Sequence, residues 1–348
     1  MGVSVRKSRP QNAAPIGNAA RSGGVGNSSI RGILGMLSPA GTRGRLTILI
    51  FHRVHAQPDD LFPREMHAVA FRERMIWVRT WFNVLALDEA VSGLARGSLP
   101  ARALAITFDD GYADNYTVAW PILRELGLHA TFFVAAGFLN GGRMWNDTLA
   151  ETIRRVDVPS LDLSALDLGR HRLDSLDARR EAFHAILQQI RYLPQQQRED
   201  QANAVARVAA VTLPRDQMMT THQVRSLAAA GMGIGGHTLN HPTLARLDDV
   251  EARREIAEGR DALEVLTRQA VKLFAYPNGK PGSDYTLAHV KIARELGFMA
   301  AFTTSRGTAR FGDPLHELPR FTPWDRTAGR WVARLARNLL THPERAAG

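Results

Sequence analysis

Residues 46–51 form a short apolar, β-branched run bounded by Gly44 and by the polar His52-Arg53, the pattern of a strand buried on both faces. Apolar spacing then predicts a helix over 71–81, a second strand over 103–108, a helix over 118–126 ended by Gly127, and a third strand over 130–134. After Gly141-Gly142 this alternation gives way to a polar, helix-prone stretch up to about residue 214, including a helical run at 178–193, which reads as an insertion. The alternation resumes with a helix over 222–230, a short strand over 232–236, an outer amphipathic helix over 250–267 and a strand over 271–276. A helix over 284–296 and a strand over 298–303 complete six or seven βα units, the order of an α/β barrel.

The two ends differ from this middle. Residues 1–29 are rich in Gly, Ser, Asn and Arg with few large apolar groups, too few to offset the entropy of ordering, so a flexible basic tail is expected over 1–45. At the other end, Trp331, Leu335 and Leu339 share one face of a basic amphipathic helix within 328–348; packing on the barrel is favoured over membrane contact. The barrel itself is expected over 46–327, with the insertion at about 141–214.

Composition changes the picture in three places. The net charge of +10 suggests a polyanion binder, but residues 1–45 hold seven Arg or Lys and no acid, and residues 320–348 add six Arg against two acids. That leaves about −1 for residues 46–319, so nucleic acid is excluded as a partner of the folded middle, while the basic termini permit peripheral membrane contact. The absence of cysteine excludes disulfides and thiolate metal sites, leaving His and carboxylate as strong ligands. No apolar run near Met1 has the length of a signal peptide and no window reaches the ~18 apolar residues of a membrane span, so the expected location is the cytoplasm or the periphery of the inner membrane.

Two polar clusters follow predicted strands, where a barrel places its chemistry: Thr107-Phe108-Asp109-Asp110-Gly111-Tyr112 and His237-Thr238-Leu239-Asn240-His241-Pro242. Adjacent carboxylates repel unless a cation or hydrogen bonds stabilise the charge. If Asp110 ligates an ion, Asp109 is left close enough to deprotonate water, and Gly111 lets backbone approach. Two His four residues apart lie on one side of a helical turn, so their imidazoles can converge on the same ion. Each short pattern alone recurs by chance as a surface turn or a pair of core histidines; the pairing on matching strand ends is what carries weight.

Here the chain resembles the polysaccharide deacetylases, also called carbohydrate esterase family 4 or the NodB-homology domain, over about residues 47–322. Thr107-Phe108-Asp109-Asp110-Gly111-Tyr112 is similar to the family's first motif and His237-Thr238-x-x-His241-Pro242 to its second. The resemblance implies a distorted (β/α)7 barrel, Asp109 as general base, and Asp110, His237 and His241 as ligands of a divalent metal, zinc first, with cobalt or nickel as alternatives. Phe51-His52-Arg53-Val54 resembles a first-strand signature of one branch, and Phe274-Ala275-Tyr276-Pro277-Asn278-Gly279 occupies the third motif. Many members carry, at or near Ala275, an Arg that pairs with the catalytic Asp; Arg320, in Leu318-Pro319-Arg320-Phe321, is the candidate replacement here. The family's final Leu-x-His motif, source of a general acid, has no clean copy, and His316 is the nearest candidate. His52, Tyr112, Trp145, Tyr276 and Pro277 are the candidate substrate contacts, Trp145 because sugars pack on aromatic faces.

The function this implies is metal-dependent hydrolysis of the N-acetyl group of an amino sugar in a polysaccharide or glycolipid. Two alternatives stand beside it. One is a deformylase or other N-acyl amidase on a lipid-linked sugar; the other is a carbohydrate-binding protein weakened in catalysis by the changes at Ala275 and the missing Leu-x-His.

Overall fold

The computed structural model describes residues 24–346. The flexible-tail expectation for residues 1–23 lies outside the described residues, and for 24–45 it is corrected. Gly24–Leu37 is a helix (α1), and its Leu34 is buried beneath the helices that follow. Its apolar residues Ile30, Leu34 and Leu37 recur at helical spacing, enough to cover one patch.

Strand β1 (Arg45–Phe51) starts the sheet, and helix α2 (Ala68–Trp81) follows, close to prediction. A two-residue strand β2 (Asn83–Val84) and helix α3 (Leu87–Ala95) come next. Neither was legible as a separate unit, β2 being too short to show a period of two. Strand β3 (Ala103–Phe108), helix α4 (Trp120–Glu125, preceded by a π-helical turn at Asn115–Ala119) and strand β4 (Thr131–Val134) keep the predicted order.

The insertion folds as helix α5 (Trp145–Arg155), a hairpin of β5 (Ser160–Asp162) and β6 (Arg170–Arg172), helix α6 (Leu176–Ile190) and helix α7 (Gln195–Val208) around its own apolar cluster, including Leu149, Ile153, Ile186 and Val205. Helix α8 (Thr221–Ala229), strand β7 (Gly233–Gly236), helix α9 (Asp249–Thr267), strand β8 (Leu273–Ala275), helix α10 (Leu287–Glu295) and strand β9 (Ala300–Phe302) resume the alternation. Strand β10 (Ala309–Arg310) and helix α11 (Ala328–Leu340) close the chain. Trp331, Leu335 and Leu339 on α11 are all buried, and the Trp331 ring centroid lies 5.7 Å from that of Trp77 on α2. The amphipathic face is therefore covered by protein.

The sheet runs β10-β1-β3-β4-β7-β8-β9, with β2 beside β3; every pairing is parallel except β10 against β1. It is a curled α/β sheet ringed by helices, the distorted barrel expected from the alternation. Between β9 and β1 the gap is bridged by the extended segment 318–322. Leu318 donates to Ala301 O and accepts from Thr303 N–H, while Phe321 N–H reaches Ile48 O and Ile50 N–H reaches Thr322 Oγ1. Along β3 the residues alternate: Leu104, Ile106 and Phe108 join the helix-facing core, and Ala103 and Ala105 join the second cluster with Leu46, Ile48 and Phe302. Small side chains on that second face leave room at the top of the strands for the groups described next.

Candidate active site

Asp109 and Asp110 leave the end of β3 in a tight turn. Gly111 N–H donates to Asp109 O at 3.0 Å, and Asp110 and Gly111 have φ of 75° and 91°. Asp tolerates the left-handed region better than most residues, and a Cβ on Gly111 would lie 3.0 Å from Val134 Cγ1, so glycine is required for both conformation and space. The turn sends the two carboxylates in different directions.

Asp109 points into the barrel and is buried. Arg320, wholly buried on the closing segment, donates from Nη1 to Asp109 Oδ1 at 2.6 Å and from Nη2 to Oδ2 at 2.7 Å. Its Nε is committed to Thr303 O at 3.0 Å, and its guanidinium lies 5.2 Å from the centre of the Phe133 ring, so the fork is fixed on three sides. Burial would raise the Asp109 carboxyl, but Arg320 and then His237 outweigh it and hold the group below its ordinary value.

Asp110 faces the histidines. His237 Nε2 is 3.4 Å and His241 Nε2 3.3 Å from Asp110 Oδ1, and the two rings lie 4.8 Å apart at 61°. His237 Nδ1 bonds the carbonyl of Ala275 at 2.7 Å, which turns Nε2 toward the carboxylates. The helical turn expected for 237–241 is not found. These residues form a loop after β7 in which Thr238 and His241 have φ of 62° and 51°. A β-branched residue in that region is strained, by about 1–3 kcal/mol, and strain of this size persists only where surrounding contacts impose it.

Those contacts come chiefly from Glu255 on α9. Its carboxylate accepts from Leu239 N–H (3.1 Å), Asn240 N–H (2.8 Å) and Asn240 Nδ2 (2.9 Å). A Cβ on Gly259, one turn along, would lie 2.4 Å from the Thr238 carbonyl carbon, so the helix presses against the loop. Thr238 Oγ1 accepts from His241 N–H at 3.0 Å and fixes the second imidazole.

The donor atoms of Asp110, His237 and His241 all lie within 4.8 Å of one another, and two imidazoles with one carboxylate suit a divalent cation. The electrostatics agree. Burial pushes His241 down to about 4, leaving its imidazole neutral near pH 7, as a ligand must be. Burial also lowers His237, but Asp109 and Asp110 outweigh it and favour positive charge at Nε2, where a cation would sit.

A cleft of about 1200 Å³ opens over this centre; His52, Asp109, Asp110, Trp145, His237 and His241 are among its lining residues. Four sequence-based candidates lie elsewhere. His316 Nε2 bonds Phe298 O at 2.8 Å, ahead of β9 and so at the opposite end of the strands from Asp109; it is not positioned to donate a proton there. Tyr276 is fully buried, stacked 4.1 Å from Tyr285 with its hydroxyl on His316 O, and Pro277 is buried beside it. The side chain of Tyr112 turns away from the cleft to donate to Asp147 Oδ2 at 3.0 Å under the guanidinium of Arg53.

Residues 96–158 and 192–301 match the family model described as polysaccharide deacetylase, so Asp109, Asp110, His237 and His241 all fall inside the match, while strands β5 and β6 and helix α6 fall in its gap. YxkH of Bacillus subtilis (strain 168), a protein assigned to the polysaccharide deacetylases, is 20% identical over 278 residues, 79% of this chain and 70% of that one. In structure the chain is similar to IcaB from Ammonifex degensii (TM-score 0.57, 20% identity, 87% of this chain and 99% of that one). It is also similar to the deacetylase PplD of Streptococcus pyogenes (TM-score 0.56, 19% identity, 85% and 98%). With the motif residues gathered at one end of the same curled sheet and the family model spanning them, this chain belongs to the polysaccharide deacetylase family and is a hydrolase of the carbon–nitrogen bond of N-acetylated sugars.

Proposed function

We propose that the chain removes the acetyl group from an N-acetylated amino sugar of a polysaccharide or glycolipid, releasing acetate, with a divalent cation held by Asp110, His237 and His241. The observation that supports this most directly is the convergence of those three donors beside the Arg320-paired carboxylate of Asp109. Zinc suits the donor set best, with cobalt or nickel as alternatives. Such an ion supplies Lewis-acid polarisation of the acyl oxygen and lowers the pKa of water.

The chain's own groups have separable tasks. Asp109, kept ionised by Arg320, takes a proton from the attacking water. The Tyr112 N–H, for which no described residue supplies an acceptor, is free to donate to the charge that develops on the acyl oxygen. His52 lines the cleft beside Asp109 and Asp110, whereas His316 is bonded to Phe298 O at the far end of the strands, which favours His52 as the group that protonates the departing amine. Trp145 offers an aromatic wall for the sugar. With the apolar face of α11 covered, peripheral membrane contact through the basic termini has less support than a soluble or polymeric glycan.

The test is acetate and formate release from a panel of N-acetylated and N-formylated glycans with zinc, cobalt or nickel added. Acetate release that a chelator abolishes is expected. Formate release alone would turn the reading to a deformylase, and glycan binding without release of either acid would turn it to a binding protein.

A further inference from the structure

The cleft carries an excess of positive charge that deacetylation of a neutral sugar does not require. Arg191 and Arg198 reach it from either side of the α6–α7 connection, and Arg246 and Lys280 from the barrel loops opposite. Among the described residues none of the four makes a close ion pair with a carboxylate; Lys280 and Arg191 act on Asp284 only at longer range. Among the described residues Asp284 is the only acid lining the cleft outside the Asp109–Asp110 pair, and it accepts from the Lys280 backbone N–H at 2.9 Å. With Asp109 and Asp110 set aside as the reaction centre, where Arg320 already pairs Asp109, four cations face one acid across the rest of the cleft.

Arg198 is the most telling of the four. Its guanidinium lies 5.0 Å from the centre of the Trp145 ring, its Nε is buried, and no described residue accepts from it. A half-buried guanidinium without an acceptor loses hydration that its stacking on Trp145 offsets only in part, a cost a bound anion lessens. Arginine presents a planar fork that matches carboxylate and phosphate alike.

We infer that the cleft takes an acidic glycan, one in which the N-acetylated sugar is joined to a unit bearing a carboxylate or a phosphate, and that Arg191, Arg198, Arg246 and Lys280 hold that unit. This rests on the reading of the cleft as the deacetylation site and adds the substrate class. The anion-holding residues stand on the insertion and the facing loops, so the metal ligands fix the acyl group while the insertion reads the neighbouring unit.

Binding to the purified full chain tests this, with three probes: a neutral N-acetylglucosamine tetramer, a tetramer alternating N-acetylglucosamine with glucuronate, and N-acetylglucosamine 1-diphosphate. At least one anionic probe should bind about tenfold or more tightly than the neutral tetramer, and the better of the two identifies carboxylate or phosphate. Its advantage should shrink as NaCl rises from about 50 to about 500 mM, since exposed cations are screened. Arg198→Gln, and separately the exposed pair Arg191→Gln with Lys280→Gln, should each remove severalfold of it. Equal affinity for neutral and anionic probes, or an advantage untouched by salt and by both variants, would overturn the inference. Acetate release followed in parallel separates the two claims: anionic preference without release leaves this inference standing and removes the deacetylase, whereas release from the neutral tetramer without anionic preference does the reverse.

Discussion

Arg320 holds Asp109 in two nearly parallel hydrogen bonds, 2.6 and 2.7 Å long, across 211 positions of sequence. The pair is wholly buried, so neither charge has water to fall back on. Arg320→Ala should raise the pKa of Asp109 and move the acidic limb of the pH–rate profile to higher pH. It should also destabilise the fold by about 3–5 kcal/mol, because a buried carboxylate is left unpaired. Arg320→Lys should recover part of both losses. An acidic limb unmoved in Arg320→Ala would remove Arg320 from this role.

Glu255 is predicted to position the metal ligands without touching the ion. Glu255→Ala leaves three donors of the 239–240 segment without their acceptor and should weaken zinc binding about 10–100-fold. Gly259→Ala should act similarly by pushing on Thr238. Zinc titration of both variants checks this, and wild-type affinity in each would show that the loop holds its shape unaided.

Asp147 gives the protein a pH dependence of stability separate from catalysis. Burial, opposed by Arg53 and the Tyr112 hydroxyl, pushes its carboxyl up to about 7. A folded-state value above the unfolded ~3.9 means that the native state holds the proton more tightly. The resulting stability is fully present below the unfolded value and is lost as pH rises toward about 7, by about 1.4 kcal/mol per unit. Asp147→Asn should lack this loss. Denaturant melts of both proteins at pH 5, 6, 7 and 8 should diverge; parallel curves would show that Asp147 is ionised throughout.

Trp331 tests the place of the C-terminal helix. Fully buried among Trp77, Trp81 and α1, it should cost about 3–5 kcal/mol when replaced by alanine. Unchanged stability would mean that α11 is not part of the fold.

The strand order was legible because its runs are apolar and bounded by glycine, and the ligand set because its motifs are local in sequence. Other features were less so. The His-x-x-x-His spacing suggested a helical turn, but Glu255 and the left-handed Thr238 impose a loop. Glu255 left one trace, an acid at a position of α9 whose neighbours Ala252, Ile256, Gly259 and Leu263 all face the core. Tyr276 and Pro277 follow β8 as the Asp-Asp pair follows β3, yet an aromatic after a strand end can fold down onto the outer core, and Tyr285 gives it a partner there. Helix α1 escaped because three apolar residues at helical spacing suffice to dock a helix whose composition otherwise reads as a tail. The cationic cleft depends on how the insertion lies over the barrel, which no local pattern records.

The most direct test of the central claim is acetate release from an N-acetylglucosamine oligomer by Asp109→Asn and Asp110→Ala, with zinc content measured on the same samples. Asp109→Asn should keep zinc and lose turnover, and Asp110→Ala should lose both. Full activity in Asp109→Asn, or wild-type zinc content in Asp110→Ala, would contradict the assignment of base and ligand.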